Sequence, residues 1–339
     1  MRHLAFNRPT DFLRRRDFSQ KMEATFDFIR AHATPLVRVL VALVLPLALL
    51  TGIGTSLLQG QMLSSFQSLK QQTGADTNFN SAVVPNVFTS PTFWLTMLSA
   101  ILLFAVVHLV IFGYITLQAD RTTDEPVTAG EVWQLVKARF LGMVGSFIGL
   151  GVLFMVGTMV IGGVLFGLGA LLQTTWLAVL LVMLLYVVMF YAIVPLSLYF
   201  IVWLRERRGF FGSLTRSFRL VWGKWWSTFG LLMVITLIMY LILLLSIALL
   251  SALGLPFAGL MGGEADAGSM RLLLIVYSAL QSLITLVYYP FILVAISFQY
   301  FNLVERHDGT GTRLLVDAIG APAPVVAPQA LRPDDEGEY

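Results

Sequence analysis

The chain has 339 residues, of which 57% are hydrophobic and only 12% are charged, and its formal net charge is +3. A soluble globular domain carries about a quarter charged residues, so this composition excludes an ordinary soluble protein. The sequence contains no cysteine, which excludes disulfides and thiolate metal sites.

Six apolar segments are long enough to cross a bilayer, which takes about 20 residues. They cover 36–58, 92–117, 141–171, 175–203, 227–253 and 272–301. The predicted fold is therefore an all-α membrane protein with six transmembrane helices within a membrane domain of residues 18–320. Residues 1–17 are basic and aperiodic, which predicts a flexible arm. Residues 321–339 are Pro-rich and then acidic, which predicts a disordered tail.

Lysine and arginine are distributed unequally between the two sides of these spans. Twenty of them fall in the N-terminal segment up to Arg38, after the second and fourth spans or after the sixth, whereas only Lys70 and Arg271 fall on the opposite side. Cytoplasmic segments of membrane proteins carry the excess of positive residues. Both termini are therefore predicted to be cytoplasmic.

An amphipathic helix is predicted ahead of the first span, from Phe18 onward, because apolar residues recur there at helical spacing. Such a helix is expected in the headgroup plane, with its basic residues toward lipid phosphates. The apolar stripe consists of Phe18, Met22, Phe26, Ile29 and Ala33, and the bases off the stripe are Lys21, Arg30 and His32.

The segment 59–91 is the longest predicted loop on the side opposite the termini. Its first part, 59–72, alternates polar and apolar residues and predicts a short amphipathic helix. Glycine, asparagine, aspartate and proline then predict turns. The loop is either a plain connection or an element that faces a substrate.

His108 is the only ionisable side chain deep within any of the six spans. Ionisable groups at this depth are often functional, yet a neutral histidine bonded to a backbone carbonyl or a hydroxyl is also stable there. No aspartate or glutamate lies within a span to serve as its partner. A functional and a structural role for His108 are therefore both open.

A second amphipathic helix is predicted ahead of the third span. Thr128 and Glu131 have the spacing of a capping box, in which each side chain binds a free amide of the first helical turn. Lys137 and Arg139 lie at the rim of the apolar face of this helix.

The third span carries glycines four residues apart, which allow close approach of helices in lipid. We expect these glycines to pack against helices of the same chain, with a dimer interface as the alternative. The two pairs are Gly145 with Gly149 and Gly163 with Gly167.

A third amphipathic helix, Leu214–Trp226, combines basic residues with four large aromatic residues. This combination is typical of the membrane interface, because aromatic rings lie at headgroup level. Nucleic-acid stacking would use similar residues, but the position next to a span favours lipid. The candidate contacts to lipid headgroups are Lys137, Arg139, Arg216, Arg219 and Lys224.

The three amphipathic helices share one pattern, aromatic-x-apolar-apolar-x-small-basic, before a span. The aromatic position is held by Phe26, Trp133 and Phe218, and the basic position by His32, Arg139 and Lys224. The exits of the hairpins are also alike, with Tyr114, Tyr199 and Tyr300 each a few residues before a charged pair. The chain is therefore predicted to contain three copies of one unit, an interfacial helix followed by a transmembrane hairpin.

This pattern, the glycine-rich third span and the closing sequence QYFNLVERHDGTG, later followed by LLVDAIG, resemble a broad group of bacterial six-helix inner-membrane proteins. The group includes the membrane domain found beside glycerophosphodiester phosphodiesterase catalytic domains, and stand-alone members without an agreed activity. The resemblance covers about 18–320 and implies six helices with cytoplasmic termini in a bacterial inner membrane. The metal-binding catalytic barrel of the phosphodiesterases has no counterpart in this sequence, so no catalytic residue carries over.

The sequence contains no Walker loop, nucleophile elbow or HExxH motif, and its four histidines are scattered. We expect no enzymatic activity, no cofactor, no metal and no nucleic-acid partner. The first hypothesis is a scaffold or accessory subunit that engages anionic lipid, or a cytoplasmic or membrane protein partner, through its interfacial helices. The alternative is a transporter or exporter of an apolar or lipid-like solute that uses a groove between repeats near His108. A continuous polar or water-filled cavity reaching the bilayer midplane would favour this alternative, and tight packing there would favour the scaffold. The oligomeric state is left open.

Overall fold

The computed structural model describes Phe6 and residues 8–73, 87–121, 127–172, 175–252 and 267–320. These residues form helices and no β-strand, so the predicted all-α class is confirmed. The helices of four or more residues are, in chain order, α1 Pro9–Phe12, α2 Phe18–Leu43, α3 Leu45–Thr73, α4 Pro91–Ala119, α5 Ala129–Leu172, α6 Thr175–Ser197, α7 Tyr199–Glu206, α8 Phe210–Val221, α9 Trp225–Ala252, α10 Ala267–Asp308 and α11 Thr310–Gly320.

Several of these helices are long and apolar enough to span a membrane. Within the described residues five candidate spans lie in α4, in α5, in α6 together with α7, in α9 and in α10. The pair α2 and α3 supplies a sixth if the two are taken as one span, since they meet at a bend of 56°. The chain is therefore a multi-pass membrane protein by length and composition.

Two predicted spans are interrupted near a proline. The predicted span 36–58 is interrupted at Val44, two residues before Pro46, where α2 ends and α3 begins. A further kink lies ahead of this span at His32, three residues before Pro35, where φ is −107° and ψ is 15°. α6 ends at Ser197, two residues after Pro195. A proline removes one backbone hydrogen bond and its ring presses on the preceding turn, so breaks at these positions are expected.

The segment 59–91 was predicted to be a loop that begins with a separate short helix. α3 instead continues without a break to Thr73, so 59–72 is its final part. Residues 74–86 lie outside the described residues. The capping box is confirmed, because the Thr128 amide donates to Glu131 at 2.8 Å and the Glu131 amide approaches the Thr128 hydroxyl at 3.4 Å.

The core lies near one end of the bundle. Almost all residues of α4 from Ala105 to Ala119 and all residues of α10 from Leu293 to Glu305 are buried, and α7, α2 and α8 pack around them. We call this region the charged end, because Asp120, Arg205, Glu206 and Glu305 lie there. We call the opposite parts of three helices, 52–62 of α3, 91–101 of α4 and 275–286 of α10, the open end.

The basic N-terminal arm is not a loose segment over residues 8–17. Phe12 is fully buried, and its ring lies 5.3 Å from the ring of Phe301 and 6.0 Å from that of Phe298. The burial of Phe12 is not evident from the sequence, because three arginines, Arg14 to Arg16, follow shortly after it. Further along the chain, Gly311 of α11 packs so closely on the Leu13 carbonyl that a Cβ atom would collide with it. Residues 1–5, 7 and the predicted tail 321–339 lie outside the described residues.

The glycines of α5 pack only in part as predicted. A Cβ on Gly149 would lie 2.8 Å from the Phe210 ring, so α8 approaches α5 closely at that point. Gly145, Gly163 and Gly167 meet no other described atom within 4 Å of such a Cβ. The expectation that both glycine pairs join helices of this chain is therefore wrong for these three positions, because no other described helix packs against the faces on which they lie.

Candidate functional site

A cavity of about 590 Å³ lies between α3, α4 and α10. Its walls follow α3 from Ala48 to Gln59, α4 from Met97 to His108 and α10 from Tyr277 to Tyr289. A helix rises about 1.5 Å per residue, so each wall is roughly 16–18 Å long and the cavity is elongated along the helices. Cavities of about 300–1,000 Å³ are the usual size for small-molecule sites.

Two of the three walls carry a polar stripe. Thr51, Thr55 and Gln59 follow one another at intervals of four residues, which places them on one face of α3. The stripe on α10 consists of Ser278, Gln281 and Ser282. The wall contributed by α4 is apolar apart from His108, with Met97, Ile101 and Phe104 among its residues.

Glycines hold the walls close together. A Cβ on Gly52 of α3 would collide with the Ser282 hydroxyl and lie 3.0 Å from the Ser278 carbonyl oxygen, so α3 and α10 touch along their backbones. A Cβ on Gly54 would lie 2.7 Å from the Thr96 hydroxyl of α4. These contacts fix the distance between the walls.

His108 lies at one end of the cavity. Its Nδ1 is 2.8 Å from the Phe104 carbonyl oxygen of the same helix, and aromatic rings of Phe104, Phe112 and Phe200 surround it. The bond to the backbone fits the structural role of His108 that the sequence allowed, whereas its position at the cavity fits the functional role. His108 combines the two.

The core closes the cavity beyond His108. The residues of α4 that follow it, Leu109 to Thr116, are all buried. In the same region the Tyr114 hydroxyl lies 3.1 Å from Nδ1 of His32, which joins α4 to α2. The cavity therefore does not continue through the described bundle to the charged end.

Sequence patterns identified His108 but not the other polar residues of the cavity. The signal that could have found them is the recurrence of polar residues every three or four positions inside two apolar spans. Serine and threonine are common in membrane helices because they bond to their own backbone, so this signal alone does not distinguish a site from packing.

The predicted headgroup contacts fall into two groups. Lys137, Arg219 and Lys224 are exposed, and Arg139 is half-buried with its guanidinium 6.0 Å from the Trp203 ring. An outside partner can therefore reach the first three side chains fully and Arg139 only in part.

Arg216 is placed differently from the other four. Its side chain is 12% exposed and forms ion pairs with Glu206, at 3.1 Å, and with Asp308. Burial alone would lower the pKa of Arg216, but the bonds to Asp308 and Glu206 outweigh burial and hold the pKa above its ordinary value. Its charge is thus neutralised within the protein.

α2 also turns inward two bases that were predicted to face lipid phosphates. Lys21 is 1% exposed, and its Nζ donates to Gln299 at 2.9 Å and to Ser227 at 3.1 Å. His32 is buried against Tyr114. The prediction was wrong for these two residues because polar groups on α9, α10 and α4 provide partners that periodicity cannot reveal. Arg30 is exposed, as expected.

No cluster of three or more metal-binding side chains occurs within the described ranges. No family model, no curated protein and no solved structure matches this chain. The similarity to the membrane domain of the phosphodiesterases therefore stays a prediction, and the function must be argued from the site alone.

Proposed function

We propose that this protein binds an apolar or lipid-like solute in the cavity between α3, α4 and α10 and acts as a transporter or exporter of that solute. The cavity itself carries the proposal. The space of about 590 Å³ beside His108 differs from the tight packing expected of a scaffold, and its walls are largely apolar rather than the continuous polar lining expected of a transporter. The largely apolar walls suit a solute that exchanges with lipid tails, because no ion needs to lose its water.

The membrane arrangement is part of the same proposal. We infer three repeated units with both termini in the cytoplasm of a bacterial cell. The excess of lysine and arginine on one side supports this orientation. The three exit tyrosines, Tyr114, Tyr199 and Tyr300, are all fully buried, which supports a common role for them.

The three units differ in one respect. The interfacial part of α2 is separated from its span by a kink at His32. The interfacial part of α5 continues into its span as one helix. α8 is separated from α9 by a turn in which Gly223 has a φ of +75°. A repeat of this kind would have diverged at its joints, where only short stretches of backbone need to change.

Photolabelling tests the proposal. A hydrocarbon carrying a diazirine group should label peptides of α3, α4 and α10 in the purified protein. Ala100 lines the cavity, so Ala100→Phe should fill it and reduce this labelling, whereas Ala248→Phe, on an exposed face of α9, should not. Labelling spread evenly over the exposed faces of α5 and α6, and unchanged by Ala100→Phe, would contradict the proposal.

A second candidate function is the scaffold that engages anionic lipid. It is favoured by the exposure of Lys137, Arg219 and Lys224 close in sequence to the exposed rings of Trp133, Trp222 and Trp226. Each basic residue near an anionic surface contributes about 1 kcal/mol. Replacing the three bases by glutamine should therefore reduce co-purified anionic lipid without lowering expression. Unchanged lipid content would count against the scaffold.

A further inference from the structure

We infer that the cavity selects an uncharged lipid-like molecule with a hydroxyl head group and discriminates against molecules with a phosphate or ammonium head. This inference rests on the proposed binding function and adds the chemical class of the solute. Its basis is the hydrogen-bonding state of the polar groups along the cavity walls.

Three hydroxyl groups of the walls already donate their hydrogens to their own helices. Thr51 donates to the Leu47 carbonyl, Thr55 to the Thr51 carbonyl and Ser282 to the Ser278 carbonyl, each at 2.8 Å. A hydroxyl has one hydrogen and two acceptor lone pairs. Each of these oxygens therefore remains an acceptor toward a molecule in the cavity.

His108 adds a further acceptor. A carbonyl oxygen only accepts, so the contact between Nδ1 and the Phe104 carbonyl requires the hydrogen on Nδ1. In the neutral ring Nε2 then carries a lone pair and no hydrogen. Acceptors thus occur on both the α3 and α10 walls and at the His108 end, which favours a solute that brings a hydrogen-bond donor.

The described walls contain no full charge. None of the described residues that line the cavity is aspartate, glutamate, lysine or arginine. Neither an anionic nor a cationic head would find a counter-charge there, and a charge without a partner is costly at lipid depth. Lys21 is a buried base, but it is bound to Gln299 and Ser227 at the charged end and does not line the cavity.

A hydroxyl satisfies both kinds of group in the cavity. It can donate to the threonine and serine oxygens, and its own oxygen can accept from the amide of Gln59. The apolar α4 wall, with Met97 and Ile101, faces the polar stripes and suits a hydrocarbon chain along the length of the cavity. The cavity therefore matches a neutral amphiphile such as a long-chain alcohol or an acylglycerol.

Competition against the diazirine hydrocarbon tests this inference. The competitors share a sixteen-carbon chain: 1-hexadecanol, 1-palmitoylglycerol, hexadecyl phosphate and hexadecyltrimethylammonium, each compared at equal mole fraction in the micelle. The two hydroxyl compounds should suppress labelling of the cavity walls at about a tenfold lower fraction than the charged ones, as expected for one hydrogen bond.

A paired substitution tests the residues. The double variant Thr51→Val and Thr55→Val keeps the shape of the wall and removes two acceptors, so the preference for 1-hexadecanol should fall about tenfold while hydrocarbon labelling is unchanged. Thr158→Val is the matched control, since Thr158 bonds to its own helix in the same way but does not line the cavity. The control should leave the preference intact.

The outcomes separate the inference from the proposed function. Equal competition by charged and hydroxyl compounds, with the cavity still labelled, would overturn the hydroxyl selectivity and leave binding of a lipid-like solute in place. Labelling of the cavity that no competitor suppresses and that Ala100→Phe does not change would overturn both. Loss of hydroxyl preference in Thr158→Val as well would also overturn the assignment to the α3 stripe.

Discussion

The charged end and the open end are built from the same helices but differ in packing. In α10 the residues from Leu293 to Glu305 are all buried. The described residues from 275 to 286 are mostly half-buried, and several of them line the cavity. Regions with many buried apolar side chains resist local unfolding most strongly, and binding sites commonly lie in regions of lower local stability. The comparison predicts that stability depends on the charged end and solute binding on the open end.

The largest effect is expected from a paired substitution within α10. Phe298 is 1% exposed and contacts Phe12 and Phe28, so Phe298→Ala should lower the free energy of unfolding by about 3–5 kcal/mol. Val287, in the same helix, is 68% exposed, and Val287→Ala should change it by less than about 0.5 kcal/mol. Unfolding in a denaturing detergent, followed by circular dichroism, measures both. Equal losses would remove the distinction between the two ends.

A smaller effect is expected from the arginines of α8. Arg216→Ala leaves Glu206, whose side chain is 15% exposed, with Arg208 as its remaining ion-pair partner and removes the ion pair to Asp308, so a loss of about 1–3 kcal/mol in unfolding free energy is expected after allowance for solvent. Arg219→Ala removes an exposed charge from the same helix and should cost less than about 0.5 kcal/mol. If the two variants unfold alike, the ion pairs of Arg216 do not stabilise the charged end.

At the open end we expect a change in binding rather than a large loss of stability. Gly52→Ala places a methyl group against Ser282 and should push α3 away from α10, at a cost of about 1 kcal/mol and with altered labelling of the cavity. Gly60→Ala is the control in the same helix, because a Cβ there meets no described atom within 4 Å. Labelling that is the same in both variants would show that the wall contact does not shape the cavity.

The smallest effect is expected on the outer part of α5. A Cβ on Gly157 meets no described atom within 4 Å, so Gly157→Ala should leave the unfolding free energy unchanged within about 0.5 kcal/mol. Gly149→Ala, against Phe210, should be the more damaging of the two. A clear loss in Gly157→Ala would instead indicate a second copy or another protein packed on this face, as the dimer alternative requires.

The helical class and the membrane-spanning character could be predicted because twenty-residue apolar segments have few other stable arrangements. The kinks and breaks could be anticipated only in part, from Pro35, Pro46 and Pro195. The burial of Phe12 and Lys21 could not, because it depends on partners such as Phe301 and Gln299 that lie almost 300 residues away in the chain. Local periodicity carries no information on such contacts.

The site was predicted at one residue, His108, since a lone ionisable group in a span is conspicuous. The threonines and serines around it were not, because the same residues occur in helices where they only bond to their own backbone. Arg216 shows the converse limit. Its surroundings in sequence are those of a headgroup contact, and only the fold brings Glu206 and Asp308 to it.

The contact between Gly311 and the Leu13 carbonyl has a practical consequence for topology mapping. It fastens α11 to the start of the described chain, so these two distant segments must occupy the same compartment. A single protease-protection or reporter-fusion measurement at either segment thus determines the sidedness of both. Fluorescent reporters joined to the two segments would lie within energy-transfer range only while this fastening holds, which makes the pair a gauge of whether the chain is correctly assembled in living cells.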